Sequence, residues 1–222
     1  MEVVDETGST NADLIAAAAS GAPDGTVLVA RHQTAGRGRL NRTWEAPPGV
    51  NLLVSLLFRP APRPAHRATW MVALAARRAV SEVAGVDAQI KWPNDLLVGD
   101  AKLAGVLAQV AGDAVVVGLG LNVGWAPDGA ARVGSGVDPL MVLQHVLATL
   151  AELASASTAQ LLDACRQGSA TLGRRVRAEL PDGSVLEGRA MDLDDQGRLA
   201  VLDDCAVTHH LDVADVIHVR AS

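Results

Sequence analysis

Only two of the 19 basic side chains are lysines, Lys91 and Lys102, and each sits among other residues able to do chemistry. Lys91 opens the run Lys91-Trp92-Pro93-Asn94-Asp95, and Lys102 opens Lys102-Leu103-Ala104-Gly105 after a hairpin-like Gly99-Asp100 turn. A lysine presents a compact charge that can follow a carboxylate as it becomes an acyl phosphate, whereas an arginine presents a broad, permanently charged fork. An amide and a carboxylate beside a proline bend suit the reading of a purine edge or the holding of a metal-bound phosphate. Alone, the same residues also describe an ordinary turn with Trp92 in the core.

A second cluster lies upstream. Between Thr26 and Trp44 there is no acidic residue, while Arg31, Arg37, Arg39 and Arg42 all fall there, the middle two alternating with glycine as Gly36-Arg37-Gly38-Arg39. Glycine lets backbone approach phosphate oxygens, and guanidinium forks clamp carboxylates or phosphates through paired bonds. A flexible lid over a reactive acyl phosphate fits this pattern, and so does a solvated surface loop or a nucleic-acid contact. The run Gly118-Leu119-Gly120-Leu121-Asn122-Val123-Gly124 superficially resembles a dinucleotide loop, but no capped helix follows it. It reads as a strand whose glycines admit a ligand or another backbone. No G-x-x-x-x-G-K-[ST] run and no G-x-S-x-G elbow is present, and His209-His210 has no nearby third metal ligand in sequence.

The elements that must carry these residues follow from periodicity and caps. Ser9-Thr10-Asn11-Ala12-Asp13 leads into an alanine-rich helix ending at Gly21, and residues 66 to 84 form a longer helical pattern. Strand-like runs cover Thr26 to His32, Asn51 to Phe58, Ala88 to Trp92, Leu103 to Val110 and Ala114 to Val123. Residues 138 to 172 read as two helical pieces, broken and recapped at Ser155 to Thr158. From Arg174 the texture changes to short apolar runs, Val176 to Leu180, Leu199 to Leu202 and Val216 to Val219, which suggest a small β-barrel leaning on the larger part. The expectation is an α+β protein with a mixed, largely antiparallel sheet, a catalytic domain over 1–172 and a second domain over 173–222.

Composition narrows the function classes. With 49% hydrophobic residues over 222 positions the chain can bury a sizeable core. A net charge of -6, no tyrosine and a single phenylalanine argue against a nucleic-acid coat. Cys165 and Cys205 supply neither a disulfide framework nor a zinc site, the N-terminus lacks a secretory pattern, and no apolar run approaches the roughly 18 residues of a membrane span. The expectation is a cytoplasmic protein, without membrane or DNA contacts.

Gly8-Ser9-Thr10-Asn11, then Gln33-Thr34-Ala35-Gly36-Arg37-Gly38-Arg39 with Trp44, then Lys91-Trp92-Pro93-Asn94-Asp95, Lys102-Leu103-Ala104-Gly105 and Gly118-Leu119-Gly120-Leu121-Asn122, in this order, closely resemble the biotin protein ligase family. The resemblance implies a class II synthetase-like catalytic domain with an SH3-like C-terminal domain. It implies an enzyme that joins biotin and ATP, with Mg2+, into biotinyl-5'-AMP and pyrophosphate. The biotinyl group then passes to a lysine of a biotin carboxyl carrier protein or the carrier domain of an acyl-CoA carboxylase. By the same likeness Ser9, Thr10, Asn11 and Gln33 line the biotin head-group pocket, while Arg37, Gly38 and Arg39 close over carboxylate and phosphates. Lys102 acts between the carboxylate and the α-phosphate, with Arg37 and Arg39 as its catalytic companions. Gly105 and Trp44 form pocket and lid walls, and Lys91, Asn94 and Asn122 serve the ATP side. Asp95 meets a magnesium-bound phosphate or the acceptor lysine.

Only eight residues precede Ser9, without a helix-turn-helix, so the resemblance points to the monofunctional class lacking a DNA-binding domain, as a monomer or weak homodimer. The stretch with Trp125, Arg132 and Gly134-Ser135-Gly136 departs from the Ala-Thr-Ser-Leu-like run of relatives, and Met191 stands where some members carry an arginine. The alternative within the same fold is a lipoate or octanoate ligase or transferase.

Overall fold

The most apolar strand-length run, Leu52–Phe58, becomes a central strand (β3) because both of its faces are covered. Leu52, Val54 and Leu56 face one layer of helices, and Leu57, two residues beyond Ser55, faces another. The structure, a computed structural model, describes residues 1–64, 66–212 and 215–218.

β3 lies in a seven-stranded sheet of order β1-β2-β3-β7-β6-β5-β4, built from Glu2–Thr7 (β1), Val27–Gln33 (β2), β3, Gln89–Lys91 (β4), Asp95–Val98 (β5), Ala101–Ala111 (β6) and Ala114–Leu121 (β7). β1 runs parallel to β2 and the other neighbours are antiparallel. The sheet is thus mixed and largely antiparallel.

Helix α1, Thr10–Ala19, packs Leu14 and Ala18 on one face against Leu28, Leu57 and Val116. The opposite face is covered by α2, His66–Ala84, which is itself covered by α3, Pro139–Leu153, and α4, Thr158–Gln167. That sandwiched position explains why α2 buries alanines around most of its circumference rather than along one stripe. Asp138 caps α3 by accepting from Leu140 N–H, and Ser157 with Gln160 forms a reciprocal capping box on α4, as the sequence pattern requires.

The C-terminal segment forms a second, five-stranded antiparallel sheet, order β11-β10-β9-β8-β12, from Arg175–Glu179 (β8), Val185–Leu193 (β9), Leu199–Leu202 (β10), Thr208–Leu211 (β11) and Asp215–His218 (β12). The expected run to Val219 leaves the described residues at His218. Val176, Leu199, Val201 and Val216 join the same apolar cluster as the larger sheet, so the small sheet shares its core rather than enclosing one. Cys165 and Cys205 are both free.

Three departures from the sequence reading have physical causes. β1 is half acidic and sits at a sheet edge, where burial does not demand apolar alternation. β5 follows directly on the Pro93-Asn94 turn and pairs with β6 through the Gly99 hairpin, whose φ of +58° favours glycine. β9 runs unbroken through Gly188, which lies so close to β10 that a Cβ there would be 2.4 Å from Leu202 O.

Candidate active site

The cleft opens on the α1 face of the large sheet, and three glycines make it. Along β7 the buried residues Val115, Val117, Leu119 and Leu121 face α2, which leaves Val116, Gly118 and Gly120 on the other side. Gly120 pairs in register with Gly105 of β6. A Cβ on Gly118 would collide with the Asn11 carboxamide, and one on Gly120 would lie 2.5 Å from Trp44 Cε2. These positions were expected to admit a ligand or backbone; in the structure, side chains of the α1 start and the arginine loop fill them. The resulting cavity is about 260 Å³.

Its floor is a buried polar network. Ser55 Oγ lies 2.6 Å from Asn11 Oδ1 and 2.7 Å from Thr10 Oγ1. Thr10 Oγ1 is 3.0 Å from Gln33 Oε1, which also accepts from Thr10 N–H at 2.8 Å. Asn11 Nδ2 donates to Leu107 O and to Gln109 Oε1, which fixes its Oδ1 toward Ser55. Ser9 occupies the N-cap of α1, yet its side chain makes no capping bond, contrary to the ordinary serine cap. Gln33 reaches across from β2 and takes a first-turn N–H, which leaves Ser9 lining the cleft.

Above the floor, the arginine loop is braced rather than featureless. Arg37 and Thr43 form an isolated antiparallel bridge, Trp44 N–H donates to Gly36 O, and Gly38 N–H donates to Arg42 O. Arg37, Gly38 and Arg39 all line the cavity, and Arg39 Nη1 donates to Asn94 Oδ1 at 3.2 Å. Asn94 is held by a two-way grip on Val106, its Nδ2 donating to Val106 O while its carbonyl accepts from Val106 N–H. Lys102 Nζ stands 2.8 Å from Asp95 Oδ1 and 5.6 Å from the centre of the Trp44 ring. Trp44 Nε1 is buried without a hydrogen-bond partner. Lys91 lines the same cavity at the end of β4.

Asn122, just past the end of β7, lines the same cavity. It is buried, donating to Ala131 O at 3.0 Å and Lys102 O at 3.4 Å, with its Oδ1 beside Asn51 Nδ2. It ties down the loop after β7, whose Pro127 and Ala130 line the cavity. Sequence reasoning also missed Ser55, Gln109 and Val216. Ser55 carried a signal, as a lone polar residue in an apolar strand, while Val216 reaches the cleft from the second sheet. Among the described residues no group of three or more His, Cys, Asp or Glu could hold a metal; His209 pairs with Asp203 and His210 with Asp194. No described helix is long and apolar enough to cross a membrane.

Known proteins are similar to this chain along its length. Residues 3–124 match the model of the biotin/lipoate A/B protein ligase family, and residues 171–219 match that of the biotin protein ligase C terminal domain. The chain is 40% identical to the biotin--[acetyl-CoA-carboxylase] ligase of Mycobacterium tuberculosis, over 99% of this chain and 89% of that protein. It is 29% identical to the bifunctional ligase/repressor BirA of Bacillus subtilis, over 80% of this chain and 62% of that protein. Among solved structures, biotin protein ligase from Aquifex aeolicus in complex with biotin and ATP superposes with a TM-score of 0.82 at 25% identity, covering 99% of this chain and 98% of that one. A family model spanning more than half of the sequence, on a fold shared along its whole length, makes this chain a member of the biotin/lipoate A/B protein ligase family.

Proposed function

We infer that the protein is an ATP-dependent, AMP-forming ligase that activates biotin as biotinyl-5'-AMP and transfers it to a lysine of a carboxylase's biotin-carrier domain. The observation that carries this reading is the proton count of the cleft floor. Three oxygen-to-oxygen contacts link Ser55, Asn11, Thr10 and Gln33, but Ser55 and Thr10 own only two hydroxyl protons. The floor is therefore rich in acceptors and suits a head group that brings N–H donors. The ureido ring of biotin has two; the dithiolane of lipoate has none, and burying this floor beneath it would leave acceptors unsatisfied.

At the mouth, Arg37, Arg39 and Lys102 gather positive charge where two anions must meet. The acid's carboxylate oxygen attacks the α-phosphorus of ATP, the bond to the β-phosphate oxygen breaks, and pyrophosphate leaves. Lys102 lies between the two anions and lowers their repulsion as the new bond forms. In transfer, the acceptor amine attacks the acyl carbon, loses a proton, and AMP departs with the bonding pair. Asp95, already beside Lys102, meets the phosphate side or the incoming lysine. Asp95 would hold a magnesium ion brought in on the ATP phosphates, which would screen their charge; among the described residues no group of three or more His, Cys, Asp or Glu forms a cage for one. Lys91, Asn94 and Asn122 serve the ATP side, and residues 1–172 form the catalytic unit with 173–222 appended.

The test is pyrophosphate release by the purified protein with ATP and Mg2+, in the presence of biotin, lipoate or no acid. Release that depends on biotin is expected. Release with lipoate alone would move the protein to the other branch of the family.

A further inference from the structure

We propose that Trp92 is a positioning residue for the ATP half of the cleft, clamped by a turn of the C-terminal sheet. This rests on the ligase reading above and assigns a task to a motif residue that the chemistry leaves unused. Trp92 is 7% exposed, so its indole is almost wholly inside the protein. Its Nε1 donates to Gly197 O at 3.0 Å, in the turn between β9 and β10, and its backbone N–H donates to Thr171 Oγ1 at 3.1 Å, in the segment joining the two sheets. One residue is thus bonded both to the connection and to the small sheet.

The clamp is stiff from the far side. Asp194 Oδ1 accepts from Gln196 N–H at 3.0 Å and Arg198 N–H at 2.9 Å, while its Oδ2 accepts from Arg198 Nε at 2.8 Å. Gly197 has φ of +75°, and a Cβ there would lie 2.1 Å from Trp70 Cζ2. The turn therefore sits against Trp70 with its carbonyl aimed at the Trp92 indole. On the near side, Trp92 is followed by Pro93, Asn94 and Asp95, and the last two hold Arg39 and Lys102. A shift of Trp92 is transmitted along three covalently linked residues to both cations that face the phosphates. Among the described residues the biotin floor is bonded to none of Trp92, Asn94 and Asp95; its one link to β6, from Asn11 Nδ2 to Leu107 O and Gln109 Oε1, lies beside the Val106 that grips Asn94, so the two halves share a strand but no bond.

Trp92→Phe keeps a six-membered aromatic ring and removes the pyrrole ring with its donor; Gly197→Ala spoils the clamp without touching the motif. Both are expected to raise KM for ATP roughly tenfold, the size of one lost buried hydrogen bond, with kcat recovered at saturating ATP and biotin affinity held within about twofold. Adenylation kinetics read the first quantity and calorimetry with biotin the second. A strut that serves stability alone would lower the melting temperature and leave KM for ATP unchanged, and that result overturns the proposal, as does an equal rise for both substrates. Should Trp92→Phe fail to fold, Gly197→Ala decides by the same split. Wild-type protein that releases no pyrophosphate with biotin sinks the ligase reading and this inference together; an active wild type with indifferent variants sinks this inference alone.

Discussion

The Lys102 ammonium is 2.8 Å from Asp95 Oδ1, so the charge assigned to the two meeting anions is held by an acidic neighbour before they arrive. That pairing keeps Lys102 aimed into the cleft while it waits, across the hairpin that joins β5 to β6. Replacing Lys102 with alanine is expected to cut biotin adenylation by about a hundredfold to a thousandfold, the usual consequence of removing one preorganised charge from such a site. Lys102→Arg should recover little, because the fork neither fits the point-charge position nor leaves Asp95 the same partner. Single-turnover formation of biotinyl-5'-AMP measures this; a normal rate in Lys102→Ala would remove Lys102 from the reaction.

Gly120→Ala places a methyl group 2.5 Å from the Trp44 ring, too close for both to stay. Trp44 must leave its seat on the paired glycines, and the wall between the biotin side and Lys102 goes with it. Biotin affinity should fall at least about tenfold while the melting temperature changes little, since strand pairing through the backbone is untouched. Calorimetric titration with biotin checks it, and an unchanged affinity would mean that Trp44 is not part of the pocket wall.

His218 gives the fold a dependence on pH. Burial first, then the positive charges of Lys91 and Arg174, push its imidazole from the usual 6.5 down to about 4, against a smaller opposing pull from Asp100. Arg174 Nη1 approaches Nδ1 at 3.4 Å, which leaves the proton on Nε2 to be donated to Thr171 Oγ1 at 3.1 Å. Because the folded value is depressed, the contribution is full above pH 6.5 and is lost as pH falls from about 6.5 toward 4. His66, also lowered chiefly by burial, adds in the same direction, whereas Asp194 and Asp203 are held below the usual 3.8 and act only at lower pH. Melting curves across this window should show a shallower decline for His218→Gln than for wild type. Parallel curves would mean that His218 takes up its proton at the same pH in the folded and unfolded states.

The motifs were legible in the sequence because each requires an unusual residue at a fixed place: two lysines in an arginine-biased chain, glycines in an apolar strand, and an acid-free stretch around Arg37 and Arg39. The helices were legible through their caps and periodicity. What escaped was set by partners distant along the chain. Nothing local marks Gln33 as the residue that bonds the first turn of α1, and nothing near Asn122 announces that its carboxamide holds a loop carbonyl. Trp92 reads as core until Gly197, more than a hundred residues later, is brought against it.

The register of β3 against β7 has a consequence for how the protein comes into being. Ser55 pairs with Gly118, and these two positions underlie the head-group floor. The pocket therefore cannot exist until the chain has been synthesised beyond β7 and its ends have met around everything between, including α2 and the Lys91 and Lys102 hairpins. Closing so large a loop is slow compared with winding α1, so a nascent chain spends its early life with the specificity residues of α1 present but without the strand that gives them a surface to face. Biotin recognition is in this sense a late event in biogenesis, and a biotin-competent molecule is one whose central strand pair has already formed.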